Sequence, residues 1–314
     1  MLSLRAAVVT LSLIFLLSPG EATGQGWIDL LAGEPVSDAA LLADLHTARI
    51  LYLGEMHTAR SHHRLEEQLL HSLAAGGPPI SLFLEALESK DDPLLSRFLA
   101  GELSFEEFAR RIDWPKRWSN YHDYRGLCLL AREKGLRVFG LDGPAPLFHR
   151  IAWEGWPSVP SVERERLGLD RVRFDPLYQR LLRLFLPVHP GMGRSWMRRA
   201  AQAQEVRDDW MAGRIVRAQR ASRGRKDRAI VICGAGHLRF GLGLPEHVAS
   251  RLPLPHRILL LVPPPERGET DGPPLPHSAL AFVNRPLADY LWLPPKSFPA
   301  KSAPGARPGA AGQQ

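Results

Sequence analysis

The stretch Arg49-Ile-Leu-Tyr-Leu-Gly-Glu-Met-His57 decides the fold. Its apolar run ends at Gly54, and Glu55 and His57 follow at once. A short apolar run that ends at a glycine is typical of a strand buried on both faces, as in a parallel sheet. Because open α/β sheets bind ligands beyond the carboxyl ends of their strands, Glu55 and His57 are candidate site residues. The alternative is a simple turn at Gly54 followed by two solvated side chains.

Three later apolar runs also lead to a polar residue at the point where a strand would stop. The runs are 80–84, 137–141 and 229–233, and they lead to Glu85, Asp142 and His237. Strands that alternate with helical patterns predict an α/β fold with a mostly parallel, doubly wound sheet. Residues 91–125 and 193–220 are predicted to be helical insertions that form a lid.

The remaining pattern places the other elements along the chain. Helices are predicted at 38–45, 59–73, 93–99, 104–112, 124–134, 193–220 and 245–252, a fifth strand at 257–262, and edge strands at 281–283 and 290–293. The segment from Trp27 to the first helix is predicted to be a lead-in, and residues 145–190 are not assigned because several prolines interrupt them.

The polar strand ends would converge on one edge of a parallel sheet. Carboxylates and imidazoles there could bind a divalent metal, which lowers the pKa of a bound water. Glutamate and histidine could instead act without a metal as a general acid–base pair. The motifs of zincins and of serine hydrolases do not occur, so those classes are excluded. The predicted catalytic residues, and equally the predicted metal ligands, are Glu55, His57, Glu85 and His237.

Two adjacent histidines, His62 and His63, lie early in the helix predicted after this motif. Neighbouring helical residues point about 100° apart and therefore cannot both face one site. One of them could share a pocket with His57, and a neutral imidazole there could bind iron or another metal. The alternative is a pair of solvated histidines near a helix start.

An aromatic stretch from Trp114 to Tyr124 could line the pocket of a flat apolar ligand or could belong to an ordinary hydrophobic core. Tyr121 or Tyr124 could bind ferric haem, because tyrosinate is a recognised axial ligand of haem iron. The candidate cofactor-binding residues are therefore His62, His63, Trp118, Tyr121 and Tyr124.

The amino terminus has the layout of a secretory signal peptide: Arg5, an apolar run over 6–17, and small residues up to Gly24. The apolar run is too short to span a membrane comfortably. The predicted division is a signal peptide at 1–24, one α/β domain at 25–293 and a disordered tail at 294–314. The mature protein is expected to be exported, either to a bacterial periplasm or into the medium.

Cys128 and Cys233 are expected to be buried free thiols, although export leaves a disulfide between them open. The net charge of +7 comes mostly from arginine, and many arginines lie between residues 183 and 228. Such a surface favours anionic partners and is compatible with peripheral membrane association. A solvated helix face explains it most simply. No signature of a nucleic-acid-binding fold occurs, so we expect no nucleic-acid partner.

Several of these motifs together resemble the ChaN-like family of haem-binding uptake proteins. This family belongs to a superfamily with the Tiki and TraB proteins and the erythromycin esterases. The motifs are Gly54-Glu-Met-His57 with His62-His63, Leu84-Glu85, Trp118 with Tyr121, Gly234-Ala-Gly-His237 with Pro245, and an Ala-Gln…Asp-x-x-Met-Ala pattern at 203–212. The resemblance covers residues 48–293.

The resemblance implies an exported α/β domain with a helical insertion that binds haem and takes part in haem or iron uptake. In the hydrolytic members of the superfamily, the equivalents of Glu55, His57, Glu85 and His237 act as metal ligands or acid–base groups. No motif identifies a haem-ligating tyrosine. The alternative function is therefore a hydrolase of esters, lactones or peptides that uses the same four residues, and a homodimer is compatible with either function.

The chain departs from the family pattern at three places. Family members are often lipoproteins, whereas no cysteine occurs near this amino terminus. Asp142 stands where an asparagine is expected, and Glu66 stands where a glutamine is common. The added charge of Asp142 favours metal or hydrolytic chemistry.

Overall fold

The computed structural model describes residues 26–185, 193–222, 224, 226–262 and 277–294. Within these ranges the strands are β1 Gly26–Asp29, β2 Glu34–Val36, β3 Ile50–Glu55, β4 Ile80–Glu88, β5 Arg137–Asp142, β6 Arg228–Gly234, β7 His256–Leu261 and β8 Tyr290–Leu293. They form one sheet in the order β2-β1-β8-β7-β3-β6-β4-β5. The strands from β8 to β5 run parallel, whereas β1 pairs antiparallel with β8 and with β2.

The helices cover both faces of this sheet. In the described ranges they are α1 Asp38–Leu45, α2 Arg60–Ala74, α3 Asp92–Leu99, α4 Phe105–Arg111, α5 Trp114–Arg117, α6 Arg125–Glu133, α7 Ala145–Glu154, α8 Ser161–Leu167, α9 Pro176–Phe185, α10 Arg194–Ala221 and α11 Leu244–Ala249. Short 3₁₀ turns, among them Tyr121–Tyr124, lie between them. The predicted α/β class with a mostly parallel, doubly wound sheet and helical insertions is confirmed.

Successive side chains of the central strands belong alternately to two separate apolar layers, because neighbouring residues of a strand point to opposite faces of the sheet. Leu51 of β3 and Leu82 of β4 belong to the layer that contains residues of α2, α3, α4 and α6. Tyr52 and Phe83, the next residues of the same strands, belong to the layer under α10 and α11. The sheet is therefore buried on both faces, which explains why its strands read as continuous apolar runs.

The ends of the sheet differ from the prediction. The segment around Trp27, predicted to be a lead-in, forms the β1–β2 hairpin. Tyr290–Leu293 is a strand but lies inside the sheet, because β1 pairs along its outer side. Residues 281–283 form a turn and not a strand. The hairpin strands are only four and three residues long, and Trp27 alone is buried among them, so their pattern is too weak to predict.

Two predictions lie wholly or largely outside the described residues: the signal peptide at 1–24 and the tail at 294–314. Region 145–190, left unassigned by the sequence, contains α7, α8 and α9. Cys128 and Cys233 are both buried free thiols, as expected. Within the described ranges, the helices are all too short or too polar to cross a membrane.

Candidate functional site

The strand order brings the polar strand ends together, because β3, β6 and β4 are neighbours in the sheet. Glu55 ends β3 and pairs in register with Gly234, the last residue of β6. The backbone N–H of Gly234 in turn donates a hydrogen bond to Glu85 Oε2 at 2.6 Å. Glu85 lies in β4 just after Leu84, where regular pairing with β6 stops and pairing with β5 shifts register. The sequence placed the end of the strand there, although β4 continues to Glu88.

The four predicted catalytic and metal-binding residues form one continuous row. His57 Nδ1 lies 2.8 Å from Glu55 Oε1, and His57 Nε2 lies 3.8 Å from Glu85 Oε2. The other oxygen of Glu85 lies 3.3 Å from His237 Nε2. Three members are almost fully buried, whereas about 32% of the His57 side chain is exposed. His57 is therefore the member of the row that a ligand can reach.

Helix α10 holds the far end of this row in place. Asp208 Oδ1 lies 2.5 Å from His237 Nδ1, and the hydroxyl of Tyr178 donates to Asp208 Oδ2 at 2.6 Å. Arg207 forms two hydrogen bonds to Asp142, at 2.7 and 2.6 Å, and lies 2.9 Å from Glu85. The strand-end residue Asp142 is thus joined to the row through an arginine.

The side chains that α10 contributes were missed as site residues. Gln204, Arg207 and Asp208 lie three and four positions apart, and this spacing places them on one face of a helix. That spacing was the available signal. Arg207 was instead grouped with the solvated arginines of the helix, because its partner Asp142 lies 65 positions away in the chain.

The electrostatics of the row favour alternating charges. Burial alone would raise the pKa of Glu85, yet the charges of His237 and Arg207 hold it well below its usual range. Burial alone would lower the pKa of His237, but Glu85 and Asp208 raise it to about 10. In the same way, Glu55 and Glu85 raise the pKa of the partly buried His57. At neutral pH the imidazole of His237 is therefore cationic beside the carboxylate of Glu85.

The two adjacent histidines of α2 have different surroundings, as neighbouring helical residues must. His62 Nδ1 accepts a hydrogen bond from the backbone N–H of Met56, and its Nε2 lies 3.1 Å from the carbonyl oxygen of Val262. His63 faces the row: its Nδ1 lies 3.2 Å from Glu55 Oε2. Both rings are buried.

The predicted aromatic residues divide between the site and the apolar core. The Tyr124 hydroxyl is buried and donates to Glu55 Oε1 at 2.5 Å. The Trp118 ring contacts the His57 ring edge to face, with centroids 4.8 Å apart. Tyr121 instead stacks on Phe105. The aromatic insertion thus brings Trp118 and Tyr124 to the row.

A cleft of about 520 Å³ opens beside the row. Its apolar wall consists of Trp118, Phe148, Ala145, Ala152, Ala200 and Ala203, and its polar side consists of Glu85, Asp142, Gln204, Arg207, Glu88, Arg117 and His149. Helices α7 and α10 form one side, and the insertion that carries Trp118 forms the other, so the predicted lid flanks the cleft. His149 was missed because it lies in the unassigned region.

The sequence matches the family described as "Haem-binding uptake, Tiki superfamily, ChaN" over residues 41–248. The chain belongs to this family. The matched range begins in α1 and ends in α11, so it contains every member of the row. Among curated proteins, none matches the sequence significantly.

Solved structures similar to this ChaN-family chain include the following two. One is ChaN of Campylobacter jejuni, which binds haem cofacially. It is 16% identical, with a TM-score of 0.59, and the match covers 85% of this chain and 95% of that chain. A mutant of the erythromycin esterase EreC in its open conformation is 18% identical, with a TM-score of 0.46 over 79% of this chain and 81% of that chain.

Proposed function

We propose that this protein binds haem in the cleft beside His57 and takes part in haem or iron uptake. The observation that carries the proposal is the cleft, whose volume of about 520 Å³ falls within the range of roughly 300–1,000 Å³ that small-molecule pockets span. Membership of a haem-binding uptake family supports the same ligand. So does the similarity to a Campylobacter protein that binds haem cofacially.

The walls of the cleft suit a flat apolar ring. Trp118 and Phe148 supply aromatic surface, and alanines of α7 and α10 keep the space between them open. Arg117 and Arg207 on the polar side offer guanidinium groups to ligand carboxylates, which arginine binds with good geometry. Both arginines already contact acidic side chains, so a haem carboxylate would share them with these partners.

Two imidazoles are accessible for the iron. His57 is partly exposed next to Trp118, and the exposed His149 lines the cleft. We assign the iron contact to one of these two side chains. Of the residues predicted to bind the cofactor, Trp118 lines the cleft, whereas His62, His63 and Tyr124 use their polar atoms for contacts within the protein.

The first test is an absorbance titration of the mature chain with hemin. We expect a saturable shift of the Soret band at one haem per chain, weakened at least tenfold in His57→Ala or His149→Ala, whichever residue binds the iron. The control is His71→Ala, which removes an exposed histidine of α2 outside the cleft. Tyr121→Phe tests the predicted tyrosine ligand. A wild-type chain without a saturable Soret change would contradict the proposal.

Export is part of the proposal and is supported by the layout of residues 1–24. Fusing residues 1–30 to a reporter that is active only outside the cytoplasm tests it, and Arg5→Glu is a variant that should reduce export.

Homodimer formation and peripheral membrane association also stay proposals. Sedimentation velocity with and without hemin measures homodimer formation. Co-sedimentation with anionic vesicles measures membrane association.

A second candidate function is acid–base hydrolysis of an ester, lactone or peptide. The row supports it, because His57 is accessible to a ligand and lies between two carboxylates, one of which contacts a second histidine. A panel of such substrates should then reveal turnover that Glu55→Gln lowers by at least a hundredfold. Equal rates for the wild type and Glu55→Gln would exclude this function.

A further inference from the structure

A compact cluster of three buried side chains includes one end of the row, Glu55, and none of the three lines the cleft. Glu55, His63 and Glu66 each offer one ligand atom, and these atoms all lie within 4.8 Å of one another. His63 Nδ1 lies 3.2 Å from Glu55 Oε2 and 3.3 Å from Glu66 Oε2. Among the described residues, this is the one group of histidine, cysteine and acidic side chains with that spacing. Glu55 is one of the four metal ligands predicted from the sequence, and His63 is one of the two adjacent histidines that were considered as a further metal ligand.

Two carboxylate oxygens of the cluster form no hydrogen bond, although His63 Nδ1 lies 3.2 Å from one of them, Glu55 Oε2. In the part of the chain that the structure describes, Glu55 Oε2 and Glu66 Oε1 are buried and have no hydrogen-bond partner. Glu66 is completely buried and Glu55 is 3% exposed. Buried polar atoms are nearly always paired in proteins, and an unpaired carboxylate oxygen is costly. A cation held between the two carboxylates would satisfy both oxygens.

The hydrogen bonds of His63 direct one ring nitrogen at the carboxylates. His63 Nε2 lies 2.8 Å from the carbonyl oxygen of His57. Because a carbonyl can only accept, Nε2 carries the proton, and in the neutral ring the lone pair is on Nδ1. Histidines that bind metals usually donate their other N–H to a carbonyl or carboxylate in this way.

The surroundings hold Glu55 in the same manner. Its Oε1 accepts hydrogen bonds from the Tyr124 hydroxyl at 2.5 Å and from His57 Nδ1 at 2.8 Å, so its Oε2 is left to face the cluster. His63 and Glu66 lie three positions apart in α2 and therefore share one face of the helix. The cluster is thus built from two rigid elements, β3 and α2, and not from loops.

We propose that Glu55, His63 and Glu66 bind a divalent transition metal. The ion would displace the proton from His63 Nδ1, and two carboxylates with one neutral imidazole then balance its charge. This mixture of oxygen and nitrogen ligands suits zinc, manganese or ferrous iron. The bound ion would fix Glu55 and, through the 2.8 Å contact, orient His57. The three side chains do not line the cleft, so metal binding can be measured without haem.

Calorimetric titration of the haem-free, chelator-treated mature chain with Zn²⁺ tests the proposal. We expect one tight site in the wild type, weakened at least tenfold in Glu66→Gln, which keeps the shape of the side chain but removes its charge. The matched control is Glu67→Gln, because Glu67 is the next residue of the same helix but is exposed. A wild type without a tight site, or equal affinities in all three chains, would overturn the proposal.

X-ray absorption at the zinc edge, measured on the wild type alone, keeps the test decisive if Glu66→Gln does not fold. We expect one imidazole with oxygen ligands and no sulfur. A first coordination shell with two or more imidazoles would place the ion elsewhere and refute the site. Because hemin is absent from both experiments, a failure here does not bear on the hemin titration, and a failed hemin titration does not bear on zinc.

Discussion

At the scale of single residues, the candidate site depends on charges that compensate one another inside the protein. Glu85 illustrates this: it contacts His237, Arg207 and the backbone N–H of Gly234 and lies near His57. These partners come from three different parts of the chain, because Gly234 and His237 belong to the same turn after β6. A change at one residue therefore leaves an unpaired charge at another, and the cost of such a change exceeds the value of the lost contact.

Arg207→Met provides the most direct test of this compensation. The variant keeps most of the side-chain volume but leaves Glu85 and Asp142 without their shared cation. Breaking a buried ion pair in this way costs about 3–5 kcal/mol of unfolding free energy. Urea denaturation measures it. Arg198→Met, at an exposed position of the same helix, should change stability by no more than about 0.5 kcal/mol. If Arg207→Met and Arg198→Met lost the same unfolding free energy, the ion pairs of Arg207 with Glu85 and Asp142 would contribute nothing to stability.

His237 should make stability depend on pH in a defined window. Its pKa is raised to about 10 from the ordinary value of 6.5, so the folded state holds this proton more tightly than the unfolded chain does. The stability it contributes is therefore fully present below pH 6.5 and is lost as the pH rises through 10. Each tenfold difference in proton affinity is worth about 1.4 kcal/mol.

The measurement is the unfolding free energy of the chelator-treated protein between pH 6 and pH 10. The wild type should lose a few kcal/mol over this range. His237→Gln should be less stable at pH 6 and should show a flatter curve, because the titrating group is gone. His63, whose pKa is also raised to about 10, contributes in the same window and remains in the variant. Parallel curves for the two proteins would disprove the assignment to His237.

At the scale of elements, the site requires β3 to lie very close to the turn that follows β6. A Cβ added at Gly54 would lie 3.1 Å from the Cα of Ala235 and within 3.2 Å of side-chain atoms of Leu238 and Leu260. A side chain at position 54 would therefore force the backbone at Ala235 to move by a few tenths of an ångström and the Leu260 side chain to move as well. This turn also carries the N–H of Gly234 that binds Glu85.

Gly54→Ala should therefore displace the turn after β6. Overpacking of this kind costs about 1–3 kcal/mol, and the shift of Gly234 should also weaken hemin binding. Gly76→Ala is the matched control, because a Cβ at Gly76 meets no other atom within 4 Å. Thermal denaturation and the hemin titration are the two readouts. An alanine that is tolerated equally well at both positions would show that the close approach has no energetic weight.

Elements and their ends could be predicted where one strong local pattern exists. The apolar run before Gly54 and the polar residue after each strand located β3, β4, β5 and β6 and four members of the site. The helix that holds His237 was also predicted, but its role was not, because Asp208 and Arg207 act through partners distant in sequence. Contacts of that kind are set by tertiary packing, which leaves no periodic signal in one sequence.

At the scale of the whole molecule, the parallel sheet separates two apolar layers with different functions. The layer of α2 and α6 includes Tyr124, which donates a hydrogen bond to Glu55. The other layer contains apolar residues of α10, the helix whose Asp208 contacts His237 and which also carries Arg207. The row of charged side chains lies along the edge of the sheet between them. Movement of either layer relative to the sheet would therefore separate carboxylates from their cations.

The two free thiols lie on opposite sides of the sheet, Cys128 in the first layer and Cys233 in the second. Burial raises the pKa of both thiols, to about 12 for Cys128, so neither reacts while its layer is closed. Each apolar layer thus contains one buried cysteine whose alkylation rate measures how often that layer opens. With one cysteine replaced by alanine, the alkylation rate of the other reports how often that half opens. Equal alkylation rates would mean that the protein opens as one cooperative unit. Unequal rates would identify the half that opens more often.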